Sequence, residues 1–207
     1  VIHTPITNIE ELKHDMSVQL KNLERNDKVM IIIDSMGNLA SIKEVEDAEE
    51  GKQVSDMTRA KAIKSFFRIV TPHLTLKDIN LVVINHTYKT QEKFSKDVVS
   101  GGTGPYYSAD HIWIIGRQQD KDEKTKEIDG YDFIINIEKS RYVKEKSKIP
   151  ISISFDKGIN KWSGFLDNAL EGGYVAKPKV GWYARVDRET GEIVGKNYRA
   201  DELNTNN

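Results

Sequence analysis

Cysteine is absent from all 207 residues, which excludes a disulfide scaffold, a thiolate-ligated zinc and a thiol nucleophile. Long apolar runs are missing too. None approaches the ~20 residues that cross a bilayer, and no basic-then-apolar leader opens the chain. Charge of one sign is not in excess, since 31 Lys and Arg face 32 Asp and Glu for a net charge of -1. Affinity for nucleic acid would therefore have to come from local patches. The G-x-x-x-x-G-K-[ST] phosphate loop occurs nowhere, so nothing here cradles a triphosphate by backbone amides and a lysine. What is present, 38% hydrophobic and 30% charged residues, suffices for one soluble domain with a sizeable core and a small appendage. The first residue is Val1, and the chain reads as a piece of a longer protein.

The most informative stretch is Val29-Met30-Ile31-Ile32-Ile33-Asp34-Ser35. An unbroken β-branched run predicts a strand buried on both faces, as in a parallel sheet. The acid then lies at the carboxyl end of the strand, where open α/β sheets bind their ligands. A carboxylate there suits a hydrated Mg²⁺; it also suits a plain helix N-cap.

Around it, Ile9, Leu12, Met16, Leu20 and Leu23 make one apolar stripe of a helix capped by Thr7 or Asn8. Residues 35–54 show no period. Within them, 43–50 hold one Lys against five acids, a net of 1 − 5 = −4, and read as a solvated loop. A second helix is predicted from near Ser55 to just before Pro72. The strand Leu81-Val82-Val83-Ile84 ends at Asn85-His86. Strand, helix and strand form a βαβ unit with parallel strands near 29–34 and 80–85, which brings Asp34 and His86 to one sheet edge.

Residues 87–105 read as a long polar loop closed by Gly101-Gly102-Thr103-Gly104-Pro105. Lys89, Lys93 and Lys96 beside Tyr88 and Phe94 suit a nucleic-acid strand, the cations meeting phosphates and the rings meeting bases; a flexible loop is the alternative. Three strands follow, at 111–115, 131–138 and 150–155, joined by turns and so antiparallel. The connection 138–148 carries five cations and two acids, 5 − 2 = +3. A short helix at 163–171 and a hairpin at 181–194 complete the chain before a polar tail. Of five histidines, only His86 has a site argument; His3, His14, His73 and His111 read as structural.

Taken in order, these blocks resemble the RecA family of recombinases, most closely its UvsX-type branch from T4-like phages. Ile31-Ile32-Ile33-Asp34-Ser35 resembles the Walker B strand. Val83-Ile84-Asn85-His86 sits where the family ends a strand in a polar phosphate sensor. Gly101-Gly102-Thr103-Gly104 is similar to the glycine pair closing the second DNA-binding loop. Glu138-Lys139-Ser140-Arg141 matches the basic pair that reaches a neighbouring subunit's nucleotide, and Phe155–Ile159 and Gly181-Trp182-Tyr183 resemble later landmarks. The likeness runs from about Asp27 to Arg199.

The resemblance implies an α/β RecA-like P-loop NTPase core. Its mixed sheet has a parallel half extended by antiparallel strands, with residues 1–160 in the core and 161–207 in a small α+β appendage. It implies an ATP-dependent recombinase that forms a helical filament on single-stranded DNA and drives homologous pairing and strand exchange in recombination and repair. Its cofactors are ATP and Mg²⁺, with Asp34 as metal ligand and Ser35 beside it. His86 senses the γ-phosphate, and Lys139 and Arg141 act in trans. Lys89, Lys93, Phe94, Lys96, Gly101 and Gly102 serve DNA, and Tyr107 packs against the adjacent subunit. Mediator and single-strand-binding proteins are possible partners, membranes are not, and the location is the cytoplasm of a bacterial host. The P-loop and the catalytic Glu of the family are missing, so this stretch alone is expected to be inactive. The acidic first loop argues against DNA contact there. Tyr106 stands where bacterial relatives carry Lys. Two other readings stay open: a non-catalytic DNA-binding or oligomerisation module, and a RecA-like hexameric helicase core.

Overall fold

The structure, a computed structural model, describes residues 1–52, 57–91, 95–121, 125–200 and 202. It divides into two compact units, Val1–Ile112 and Trp113–Asn207; the sequence-based boundary at 160/161 falls inside the second.

In the first unit, helix α1 (Ile9–Asn22) starts where Asn8 Oδ1 accepts from Glu11 N at 2.8 Å, so an otherwise orphaned amide is satisfied. Its buried residues Ile9, Leu12, Met16 and Leu20 are four of the five the spacing singles out, and the fifth, Leu23, is the half-buried C-cap. Strands β1 (Met30–Ile33) and β2 (Asn80–Val83) pair in parallel, with Met30 opposite Asn80 and Ile33 opposite Val83. The crossover between them contains a 3-10 turn (Met36–Asn38), helix α2 (Ile42–Glu49) and helix α3 (Met57–Lys77). The core joins α1, α3 and one sheet face through Leu12, Met16, Ile33, Met36, Ile63, Phe66 and Val70. Complete burial of a side chain as large as Phe66 is worth about 1.5–3 kcal/mol.

Four expectations for this unit are overturned. The strand is not buried on both faces: Met30 and Ile32 are 59% and 61% exposed. The helices cover one face of a two-stranded sheet, so an apolar run without alternation still adopts alternating burial. Nor does the second helix stop before Pro72, which lies inside α3. Val70 and Leu74 pack on either side of it, and this tertiary burial outweighs the missing amide of proline. At the end of α3, Lys77 Nζ donates to the Leu20 and Leu23 carbonyls, capping α1 with a cation.

The third correction concerns 35–54. The Ser41-x-x-Glu44 capping box nucleates α2, with Ser41 Oγ accepting from Glu44 N at 3.2 Å and Glu44 Oε2 from Ser41 N at 3.3 Å. Residues 43–50 are thus mostly helical and solvent-facing, and α2 buries none of its residues. The segment 87–105 is likewise not a plain loop. It contains an antiparallel hairpin of β3 (Thr87–Lys89) and β4 (Asp97–Val99), then helix α4 (Thr103–Ser108).

The second unit holds, apart from the first two residues of β5, a four-stranded sheet in the order β5 (His111–Lys121), β6 (Ile128–Ser140), β7 (Lys148–Ser154), β8 (Gly158–Ile159). Strands β6 and β7 are antiparallel, as are β7 and β8. Among the described residues this sheet shares no strand pairing with β1–β2, so the antiparallel strands build their own sheet rather than extending the parallel one. Gly130 is a strand residue, where any Cβ would come 2.2 Å from the Ile153 carbonyl oxygen. Helix α5 (Phe165–Glu171) precedes a second sheet, β9 (Val175–Lys179), β10 (Trp182–Val186) and β11 (Ile193–Tyr198), in the order β11-β10-β9. The hairpin is as expected; β9 was hidden by Pro178, which an edge strand tolerates. No helix among the described residues is long and apolar enough to cross a membrane.

Candidate functional site

Asp34 is exposed where the chain leaves β1, and its carboxylate has no hydrogen-bond or ion-pair partner among the described residues. The peptide joining it to Ser35, which is half-buried, is cis. Pairing of the two strands continues past their ends, where Ile84 N donates to Ile33 O at 2.9 Å and Met36 N donates to Ile84 O at 3.0 Å. These bonds bring the segments that follow β1 and β2 side by side.

His86 is held in that junction. Its Nε2 lies 3.0 Å from Asn38 Oδ1; since an amide oxygen only accepts, the ring nitrogen is the donor here. The ring also lies over Gly37, where a Cβ would come 1.9 Å from His86 Cδ2. Gly37 is therefore required by close approach rather than by backbone conformation. Asp34 and His86 do share one sheet edge, as the βαβ topology implies, and the turn between them fixes the imidazole.

His86 is also the root of the β3–β4 hairpin. Its carbonyl accepts from Ser100 N at 2.9 Å, and Asn85 Nδ2 donates to Ser100 O at 2.9 Å. Lys89, opposite Asp97, and Tyr88 are exposed on β3. Lys96 is exposed at the start of β4, where its backbone exchanges bonds with Thr90. Lys93 and Phe94 lie outside the described residues. Gly101 and Gly102 have φ of +92° and +74°, a region open to glycine. A Cβ on Gly101 would sit 2.7 Å from Ile63 Cδ1, so this glycine packs the end of the hairpin onto α3.

One residue of this network went unread in the sequence. Arg59 of α3 is only 8% exposed, and its guanidinium reaches the turn and the hairpin together. Nε donates to Leu39 O at 2.8 Å, Nη2 to Met36 O and Gly37 O at 3.0 Å each, and Nη1 to Ser100 Oγ at 3.2 Å. A signal existed: Arg59 precedes Ile63 by four residues and so occupies the buried stripe of its helix. Gly37 and Asn38, directly after the acid-ended strand, were missed in the same way.

The remaining candidates are carried by other elements. Lys139 is half-buried near the end of β6 and Arg141 is exposed just after it, both in the second unit. Ser140 Oγ accepts from Tyr142 N and Val143 N at 3.1 Å each, so the basic pair flanks a tight turn. Tyr107 on α4 is 71% exposed.

Chemically, the sheet edge offers an exposed carboxylate, unpaired among the described residues, and on the adjoining strand end a positioned imidazole. No group of three metal-ligating side chains occurs among the described residues. Such a site does not strip a divalent cation of water, yet it suits Mg²⁺ held through one carboxylate, water and substrate phosphates.

Comparison with known proteins agrees with the family resemblance. Residues 162–207 match the family described as the C-terminal domain of the bacteriophage T4 recombination and repair protein. The chain is 57% identical over 208 aligned residues to the recombination and repair protein of Enterobacteria phage T4, covering 99% of this chain and 53% of that protein. It thus spans about half the length of that relative.

Proposed function

We propose that this chain, similar over nearly its whole length to the T4 recombination and repair protein, is the carboxyl-side half of an ATP-dependent recombinase of the same family. The carrying observation is the 57% identity along 99% of the chain, together with a sheet edge that suits a nucleotide-bound cation. Such a protein binds single-stranded DNA, assembles on it as a filament, and pairs and exchanges homologous strands in recombination and repair.

In this reading Asp34 holds the hydrated Mg²⁺ of ATP, with Ser35 beside it. The bound nucleotide supplies the phosphoryl group and the metal neutralises its charge. His86, oriented by Gly37 and Asn38, meets the terminal phosphate when its Nε2–H turns from Asn38 Oδ1 to a phosphate oxygen. Lys139 and Arg141 serve a neighbouring protomer, so hydrolysis depends on assembly, and Tyr107 packs between protomers. DNA falls to the hairpin segment bearing Lys89, Lys93, Phe94, Lys96, Gly101 and Gly102. Helix α2 is a poor DNA contact, because its acids repel phosphates. Mediator and single-strand-binding proteins fit the same role, as does action in the cytoplasm of a bacterial host.

A single-stranded-DNA-stimulated ATPase assay tests this, comparing this chain with the protein extended upstream to the length of its T4 relative. The extended protein should hydrolyse ATP in a DNA-dependent way, whereas the 207-residue chain should bind ATP poorly and show no turnover. Turnover by the chain alone, or none by the extended protein, refutes the proposal; the latter result favours a non-catalytic DNA-binding module.

A further inference from the structure

We propose that Arg59 is a positioning residue that clamps the DNA-binding hairpin to the turn that holds His86. Through it, occupancy of the nucleotide site sets the affinity for single-stranded DNA. The inference rests on the recombinase reading above and goes beyond it, because it assigns the coupling to one bond network.

The argument begins with cost. A buried guanidinium must be hydrogen-bonded, or the lost hydration is uncompensated. Arg59 has no carboxylate partner among the described residues and instead makes four hydrogen bonds. Three go to backbone carbonyls of residues 36, 37 and 39, and the fourth goes to the Ser100 side chain. Packing alone would be served better by an apolar residue, since Ile63 and Phe66 fill the same helix face. The planar fork of arginine is what reaches several acceptors from one rigid group.

The two ends of this fork are the two sides of the site. Residues 36–39 follow Asp34 and supply both the glycine under the His86 ring and its partner Asn38. Ser100 closes the hairpin and is bonded through its backbone to His86 and Asn85. A closed circuit therefore runs from the turn to His86, to Ser100, to Arg59 and back to the turn. A shift of the His86 backbone against the turn must strain the Arg59–Ser100 bond or carry the hairpin along. Such a contiguous network, biased from both ends, is the physical form of a coupling between sites.

The test is the affinity of the full-length protein for a fluorescent oligo-dT, measured with and without a non-hydrolysable ATP analogue. Ser100→Ala deletes one hydrogen bond and leaves the backbone bonds of residue 100 in place. Arg59→Lys keeps the charge but loses the fork. Ser100→Ala should reduce the analogue-induced gain in affinity by roughly three-fold or more, within the range usual for coupled sites. Analogue binding and melting temperature should stay near wild type. Arg59→Lys should reduce the gain further, and adding Ser100→Ala to it should change little more, since both act through one bond. An unchanged gain in Ser100→Ala overturns the inference, whether or not Arg59→Lys folds. A fall in melting temperature with no change in gain also overturns it, because the clamp is then merely structural. If the wild type itself shows no gain, the recombinase reading fails first and takes this inference with it.

Discussion

Replacing Gly37 by Ala isolates the placement of His86 from the stability of the fold. The backbone at Gly37 is not in the left-handed region, since it is absent from the residues of positive φ, so alanine is conformationally acceptable. The obstacle is steric. The new Cβ would lie 1.9 Å from Cδ2 of His86 and 2.8 Å from Cγ and Nε2, closer than any real contact. The imidazole must leave, and because it is exposed it can swing into solvent. That loses the 3.0 Å bond to Asn38, worth about 0.5–1.5 kcal/mol. Alanine returns about 0.5–1 kcal/mol of backbone entropy relative to glycine. Net stability should thus change by less than about 1 kcal/mol, a melting shift of a few degrees for a unit of this size, roughly 4–8 °C per kcal/mol at most. The ring itself should be fully displaced. Side-chain NMR of Asn38 and His86 reads this directly, and Gly37→Ala should converge on the His86 spectrum of Asn38→Ala. A loss above about 3 kcal/mol, the upper end for overpacking, would mean that the ring is trapped. Unchanged His86 resonances would mean that it does not lie over Gly37.

Three further outcomes follow from local structure. Ser41→Ala removes the cap of α2 from a fully buried position and should cost about 1–2 kcal/mol in urea unfolding; a neutral result would show that α2 does not depend on its capping box. Pro72→Ala restores an amide within α3 and should raise stability by about 1–3 kcal/mol, whereas a loss would mean that the helix is built around the proline. The hydrogen bond from the Thr7 hydroxyl, then that from its amide, hold the Glu11 carboxyl below its usual pKa. A depressed carboxylate contributes stability that is present above its unfolded pKa and lost as pH falls through the folded value. Thr7→Ala should therefore move the NMR titration midpoint of Glu11 upward, and an unmoved midpoint would discount the hydroxyl.

The helix of α1 and the parallel pair were legible because their signals are local. Ile9, Leu12, Met16 and Leu20 repeat at helical spacing, and two β-branched runs flank a helix. Asp34 and His86 followed from topology alone, since parallel strands place their carboxyl ends together. The capping box at Ser41 and Glu44 was equally local, but its net charge masked it. Pro72 misled because the rule for proline is a local preference, and burial of Val70 and Leu74 outweighs it. The exposure of Met30 and Ile32 could not be read at all, since burial of a strand face depends on what packs against it.

Sequence by itself determined helix α1, the direction of β1 against β2, and the presence of an acid and an imidazole at one sheet edge. These follow from residue periodicity and chain connectivity. Only the tertiary structure decided that Gly37 makes room for the His86 ring, and that Arg59 joins the turn at 36–39 to Ser100, 41 positions further along the chain. Hydrogen bonds at that separation leave no periodic trace, because their partners become neighbours only once α3 has packed onto the sheet.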